Sequence, residues 1–172
     1  MLKKTNFGEC VYCRKIKSVE REHVIPRCLF PKPVPSFMLT VPVCRACNKA
    51  KGKLDEYVRD VLVLDIDCSN NAAARKLLNG EVGRAIRKNR SEVARAAKKG
   101  ACLEPRYTPG GIYLGDAVSF PIDGERMNRE FSLITRGLYY AIRKEHLPID
   151  CAFDVRRVHP LRFHQIWEAL KK

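Results

Sequence analysis

Two Cys-x-x-Cys pairs, Cys10/Cys13 and Cys44/Cys47, constrain this chain more than any other feature. A turn carrying two thiolates two residues apart can grip one metal ion. A second such turn completes a tetrahedral four-sulfur site, the arrangement zinc takes when its role is structural. Residues 10–13 and 44–47 are then tied together whatever the chain does between them. Reading the same thiols as disulfides needs an oxidising compartment. The opening Met1-Leu2-Lys3-Lys4-Thr5 has no apolar stretch after its lysines, so reduced thiols in a cytoplasmic protein are expected. Cys28, Cys68, Cys102 and Cys151 are singletons and read as small core hydrophobes, with Cys28 the first exception to consider.

Between the pairs lies Glu22-His23-Val24-Ile25-Pro26, expected at a strand or strand end. Prolines at 26, 31, 33, 35 and 42 then predict an irregular loop. After Cys47 the pattern changes. Residues 48–63 contain no proline, and Leu54, Tyr57, Val58, Val61 and Leu62 recur at the three-and-four spacing of an amphipathic helix. On that helix Asn48, Lys51 and Asp55 share a face; Asn48 is also a favoured helix N-cap. Two β-elements followed by a helix, tied by zinc, is the expected frame.

The chain carries 33 Lys and Arg against 19 Asp and Glu, a formal charge of +14, which makes a phosphate backbone the natural partner. Charge is densest between residues 72 and 100, where nine basic residues face two acids. On a 3.6-residue wheel Arg84, Arg87, Lys88, Arg95 and Lys98 fall opposite Val82, Ile86, Val93 and Ala97. A basic helix with a cationic ridge is expected, either tracking nucleic acid or simply solvated. No apolar run is long enough to span a bilayer, and neither a glycine-rich phosphate loop nor a Gly-x-Ser-x-Gly elbow is present.

From residue 101 onward the pattern suggests a small α+β lobe. A hairpin is expected around Gly115-Asp116, and Asp123 is placed to cap a helix with Met127, Phe131, Ile134, Leu138 and Ile142 on its apolar stripe. Residues 151–158 alternate like a strand, and Phe163, Ile166, Trp167 and Leu170 form a last helical stripe. His146, His159 and His164 show no ligand spacing.

Taken together, Cys10-x-x-Cys13, Glu22-His23-x-x-Pro26 and Val43-Cys44-Arg45-Ala46-Cys47-Asn48-Lys49-Ala50-Lys51 resemble the HNH endonucleases, the ββα-metal or His-Me finger group, in its zinc-stabilised branch. The similarity covers about the first 65 residues. The resemblance implies a zinc-stapled ββα-metal finger over residues 1–66; with the basic helical connector read over 67–100 and the α+β lobe read over 101–172, the expected fold class is α+β. It implies a metal-dependent endonuclease acting on DNA, with RNA left open, that leaves 5′-phosphate and 3′-hydroxyl ends. His23 matches the general base. Glu22 and Asn48 match ligands of a catalytic Mg2+ or Mn2+, with Asp55 as an added candidate. Cys10, Cys13, Cys44 and Cys47 match the structural Zn2+ ligands, and Arg45 and Lys51 are placed to meet phosphate beside Arg84, Arg87, Lys88 and Arg95. Two departures stand out: residues 37–43 lack the Asn common in the group's middle motif, and Glu22 replaces the usual Asp. The alternative from another class is a non-catalytic zinc-finger binder of nucleic acid.

Overall fold

A computed structural model describes residues 8–15, 17, 20–65, 68 and 70–152. The chain enters through the Cys10–Cys13 turn. Arg14 closes it in the left-handed region (φ 57°), its N–H donating to the Cys10 carbonyl at 2.9 Å. Val11 N–H donates to the Pro42 carbonyl at 3.1 Å, which fastens the turn to the strand leading into the second cysteine pair.

Strands β1 (Glu20–His23) and β2 (Thr40–Val43) pair antiparallel, with Glu20 opposite Val43 and His23 opposite Thr40. The prolines between them leave one short 3-10 turn, Arg27–Leu29, and otherwise irregular chain. The expected loop ends earlier than its last proline, because Pro42 belongs to β2. Each strand of a two-stranded sheet has a free edge, so a residue without an N–H is tolerated there.

Helix α1 (Arg45–Leu64) begins at Cys44, whose Sγ accepts from the Cys47 N–H at 3.5 Å. Asn48 therefore lies inside the first turns and does not cap. Its buried face carries Leu54, Tyr57, Val58 and Val61, as the periodicity predicts. The same face also buries Lys51.

The single basic helix expected over residues 72–100 is instead broken into three. Helix α2 (Ala72–Leu77), capped by Asn71, runs into a wide turn over Leu78–Val82. Helix α3 (Gly83–Arg87) follows, and Asn89 (φ 54°) then turns the chain into α4 (Glu92–Gly100), capped by Ser91. Ser91 also donates to Asp60 Oδ2 at 2.7 Å, so the break is pinned to α1. Arg84 and Arg87 thus stand on a different helix from Arg95 and Lys98, and the continuous ridge drawn on one wheel does not exist.

Strands β3 (Cys102–Tyr107) and β4 (Tyr113–Ser119) form an antiparallel hairpin. Its turn falls at residues 108–112, with Gly111 at φ 85°, and not at Gly115-Asp116. Gly115 (φ 101°) lies opposite Arg106 beside a register irregularity, so its conformational freedom serves a bulge.

Helix α5 (Gly124–Arg143) is capped by Asp123, whose Oδ1 accepts from the Arg126 N–H at 3.1 Å. Its Leu133, Ile134 and Leu138 pack on a core of Cys10, Val24, Val41, Val43 and Cys44, while Met127 and Phe131 pack on Tyr57, Val58 and Val93. A boundary at residue 100 therefore separates α5 from the cysteine core it covers. Ile142, expected on the apolar stripe, is 73% exposed. The strand expected from 151 to 158 falls largely outside the described residues. The 163–170 stripe with Trp167, and His159 and His164, lie wholly outside them.

At Gly137, α5 approaches Val24, the residue that follows β1. A Cβ there would meet Val24 Cγ1 at 3.0 Å. Gly137→Val should lower stability by about 1–3 kcal/mol through overpacking, seen as a reduced melting temperature. An unchanged melting temperature would show that α5 does not press on Val24.

Candidate functional site

The ligand atoms of Cys10, Cys13, Cys44 and Cys47 lie within 4.8 Å of one another, with Cys10 and Cys44 buried. Cys13 Sγ is 3.9 Å from Cys44 Sγ, far beyond a disulfide bond. A tetrahedron with metal–sulfur bonds of about 2.3 Å has edges of roughly 3.8 Å, so the cluster has the dimensions of a four-thiolate metal site. The four cysteines can hold one metal ion and are compatible with structural zinc. Among the described residues no other group of three or more His, Cys, Asp or Glu side chains meets the same geometry.

On the same strand-strand-helix unit, the end of β1 and the middle of α1 line an open cleft of about 280 Å³ that contains Glu22, His23, Arg27, Asp55 and Glu56. Burial, then the positive charges of Arg27 and Lys51, holds the His23 imidazole below its ordinary pKa, so it stays neutral at pH 7. Burial raises the Glu22 carboxyl, opposed by Lys51 and reinforced by Asp55. A neutral nitrogen base and three carboxylates, those of Glu22, Asp55 and Glu56, therefore share one opening.

Beneath the cleft sits a charge cluster that sequence reasoning missed in part. Lys51 is fully buried, its Nζ donating to Asp55 Oδ1 at 2.6 Å and lying 3.1 Å from Glu130 Oε1 and 3.8 Å from Glu22 Oε1. The expected phosphate contact from Lys51 is corrected by this placement: its charge is spent on three carboxylates and no surface is left to meet a backbone. Burial alone would depress the ammonium, but Glu130 and Asp55 outweigh it and hold Lys51 above its ordinary pKa. Burial pushes the carboxyl of Glu130, also fully buried, above its ordinary pKa and Asp55 adds to the rise, while the Lys51 ammonium 3.1 Å away opposes it and favours the paired anion. The Tyr12 hydroxyl is buried in the same field, and burial followed by Glu22, Glu130 and Asp55 pushes its pKa upward.

Asn48 is elsewhere. Its Nδ2 donates to Glu20 Oε2 at 2.6 Å, and Arg45 Nε donates to Glu20 Oε1 at 3.0 Å. This exposed knot holds Glu20 below its ordinary pKa through Asn48 first and Arg45 second. The expected pairing of Glu22 with Asn48 around one ion is therefore not what the side chains form: Glu22 shares its cleft with Asp55, one helical stretch further on. Arg45 remains largely exposed. Arg84, Arg87 and Lys88 are also exposed, whereas Arg95 is half-buried and donates to the Asn89 carbonyl at 2.7 Å.

A second opening of about 530 Å³ lies between α1, α4 and α5. There Asp60 accepts from Arg59 and Ser91, and Arg126 bridges to Glu92 at 2.6 Å while covering the Tyr57 ring at 3.9 Å. Its charges are internally matched and it carries no histidine or free thiol, which marks a packed joint more than a reaction centre.

The chain matches no family model, no curated protein and no solved structure.

Removing one sulfur tests the cluster. Cys44→Ser should reduce bound metal from about one ion per chain and unfold the region around β1, β2 and α1. Mass analysis of metal content beside circular dichroism checks this, and a metal-free, fully folded wild type would refute it.

Proposed function

We propose that this protein is a zinc-stapled ββα-metal finger nuclease, a DNA endonuclease of the HNH kind. The observation that carries the reading is that His23, Glu22 and Asp55 open into one cleft on a strand-strand-helix unit whose ends the four cysteines join. Glu22 and Asp55 fit a hard divalent ion, which commonly takes one or two carboxylates and fills its remaining positions with water and substrate phosphate. Such an ion, when bound, supplies charge stabilisation for the phosphate and its departing 3′ oxygen.

The chain's own groups do the rest. Neutral His23 accepts a proton from the attacking water, and its lowered pKa keeps it in that form at pH 7. Arg27 lies in the same cleft as a cation for a flanking phosphate. Attack on phosphorus opposite the 3′ oxygen leaves a 5′-phosphate and a 3′-hydroxyl. Exposed Arg45, Arg84, Arg87 and Lys88 supply charge for holding the backbone, a role indifferent to sequence and open to RNA as well.

A second reading, a nucleic-acid binder without activity, is favoured by the commitment of Asn48 to Glu20. A plasmid nicking assay with Mg2+ or Mn2+ separates the two. His23→Ala should lower the rate by about 10²–10⁴-fold, whereas equal background in both proteins supports the binder.

The pH dependence has a definite sign. Because the His23 pKa is lowered, the acid limb of kcat/KM should have its midpoint below the ordinary value of 6.5. Arg27→Gln removes one of the charges that lower it, so the acid limb should move to higher pH. A limb that stays put would show that Arg27 does not act on the titrating base, and an acid limb centred above 6.5 in the wild type would exclude His23 as that base.

Arg84→Ala, Arg87→Ala and Lys88→Ala together should flatten the log–log salt dependence of DNA binding by about one unit per lost phosphate contact. An unchanged slope in a filter-binding titration would remove α3 from the interface.

A further inference from the structure

Glu130 is a fully buried carboxylate on the inner face of α5, far along the chain from the cysteine pairs. Its Oε1 is at ion-pair distance from Lys51 Nζ, yet neither of its oxygens has an aligned hydrogen-bond donor among the described residues. The buried Tyr12 hydroxyl, inside the Cys10–Cys13 turn, likewise has no aligned partner. An acid in such a place is costly unless something needs it, since ions lose several kcal/mol of solvation on burial. Two turns further along the same helix, Gly137 lies against Val24, the residue after His23. Helix α5 thus touches the cleft's supports twice, once through charge and once through backbone contact.

We propose that Glu130 is a positioning residue for the Glu22–His23–Asp55 cleft: by anchoring the Lys51 ammonium from below, it leaves outward carboxylate oxygens of Glu22 and Asp55 free for a divalent cation. This inference rests on the nuclease reading of that cleft. Lys51 already donates to Asp55 and lies near Glu22. Without Glu130, the ammonium has only those two carboxylates to neutralise it, and it draws toward the ligand pair in competition with the cation. With Glu130 present, the ammonium is held between helices α1 and α5. Residues that orient metal ligands in this way commonly change affinity by about 10–100-fold when replaced.

The test is calorimetric Mn2+ binding to the zinc-loaded full chain, with circular dichroism and zinc content measured on every variant. Glu130→Met should weaken Mn2+ by about tenfold with zinc content unchanged. Glu130→Gln, which keeps an acceptor oxygen at the same reach, should recover most of that loss. In a Lys51→Met background, Glu130→Met should have no further effect, because the role is exercised through Lys51; a merely structural role would still add its penalty. If Glu130→Met does not fold, Glu130→Asp replaces it, since it withdraws the carboxylate by one methylene and should show a loss of the same sign. A folded variant with wild-type Mn2+ affinity overturns the inference and leaves the nuclease reading standing. A wild type that neither binds Mn2+ nor nicks DNA overturns both.

Discussion

Four sulfur atoms converge where the first turn, β2 and α1 meet, and the rest of the unit is arranged around them. The sheet they adjoin has two strands of four residues each, and most of residues 24–39 has no regular structure. A two-stranded sheet of that size is marginal alone in water. The cysteine turns supply what the sheet lacks. One is fastened to β2 by the Val11–Pro42 hydrogen bond, and the other begins α1 with a sulfur as its cap. A metal held by both would fix the start of α1 against the strand carrying Glu22 and His23, which sets the distance across the cleft. Helix α5 then seals the apolar side of the cluster with Leu133, Ile134 and Leu138.

The second constraint is electrostatic. Lys51 and Glu130 are fully buried between α1 and α5, and replacing a buried ion pair with well-packed hydrophobes is often neutral or stabilising. Their presence is therefore poorly explained by stability. It is better explained by position: the pair lies under the cleft that combines the neutral His23 imidazole with the Glu22, Asp55 and Glu56 carboxylates. Breaking one partner is another matter, since an orphaned buried charge costs about 3–5 kcal/mol. The cluster accordingly links the integrity of α5 to the state of residues on β1 and α1.

Much of the local structure was legible because short-range chemistry dictates it. The cysteine spacing, the α1 stripe and the Asp123 cap each depend on residues within a turn or two of one another. The errors came where a partner distant in sequence decided the outcome. Asp60 pulls Ser91 into a buried hydrogen bond and fixes the break that divides the basic helix. Gly115 looked like a turn glycine until its strand partner made it a bulge. The Lys51–Glu130 pair left a trace that could have been followed. Lys51 stands three residues before Leu54 and seven before Val58, and Glu130 stands three after Met127 and four before Ile134. Each is thus a lone charge on the apolar stripe of its own helix, and opposite lone charges on two stripes that must both be buried point to each other. Asn48 left no such trace, since nothing near it in sequence foretells that Glu20 would take its amide.

The distribution of charge also bears on how a polyanion would reach the cleft. The surface is strongly cationic, but Glu22, Asp55 and Glu56 line the opening and Glu130 lies beneath it. At physiological salt the screening length is about 8 Å, so the general cationic field draws a phosphate backbone toward the surface while the local acids repel it over the last few ångströms. Lys51 cannot offset that repulsion for the substrate, because its ammonium is already shared among the acids. On the nuclease reading, a divalent cation bound by Glu22 and Asp55 reverses the sign at the point of closest approach. Backbone binding at the exposed arginines then requires no metal, whereas entry into the cleft does. Affinity and cleavage would consequently respond to different ions: affinity to monovalent salt through the surface charges, cleavage to the divalent cation through the carboxylates.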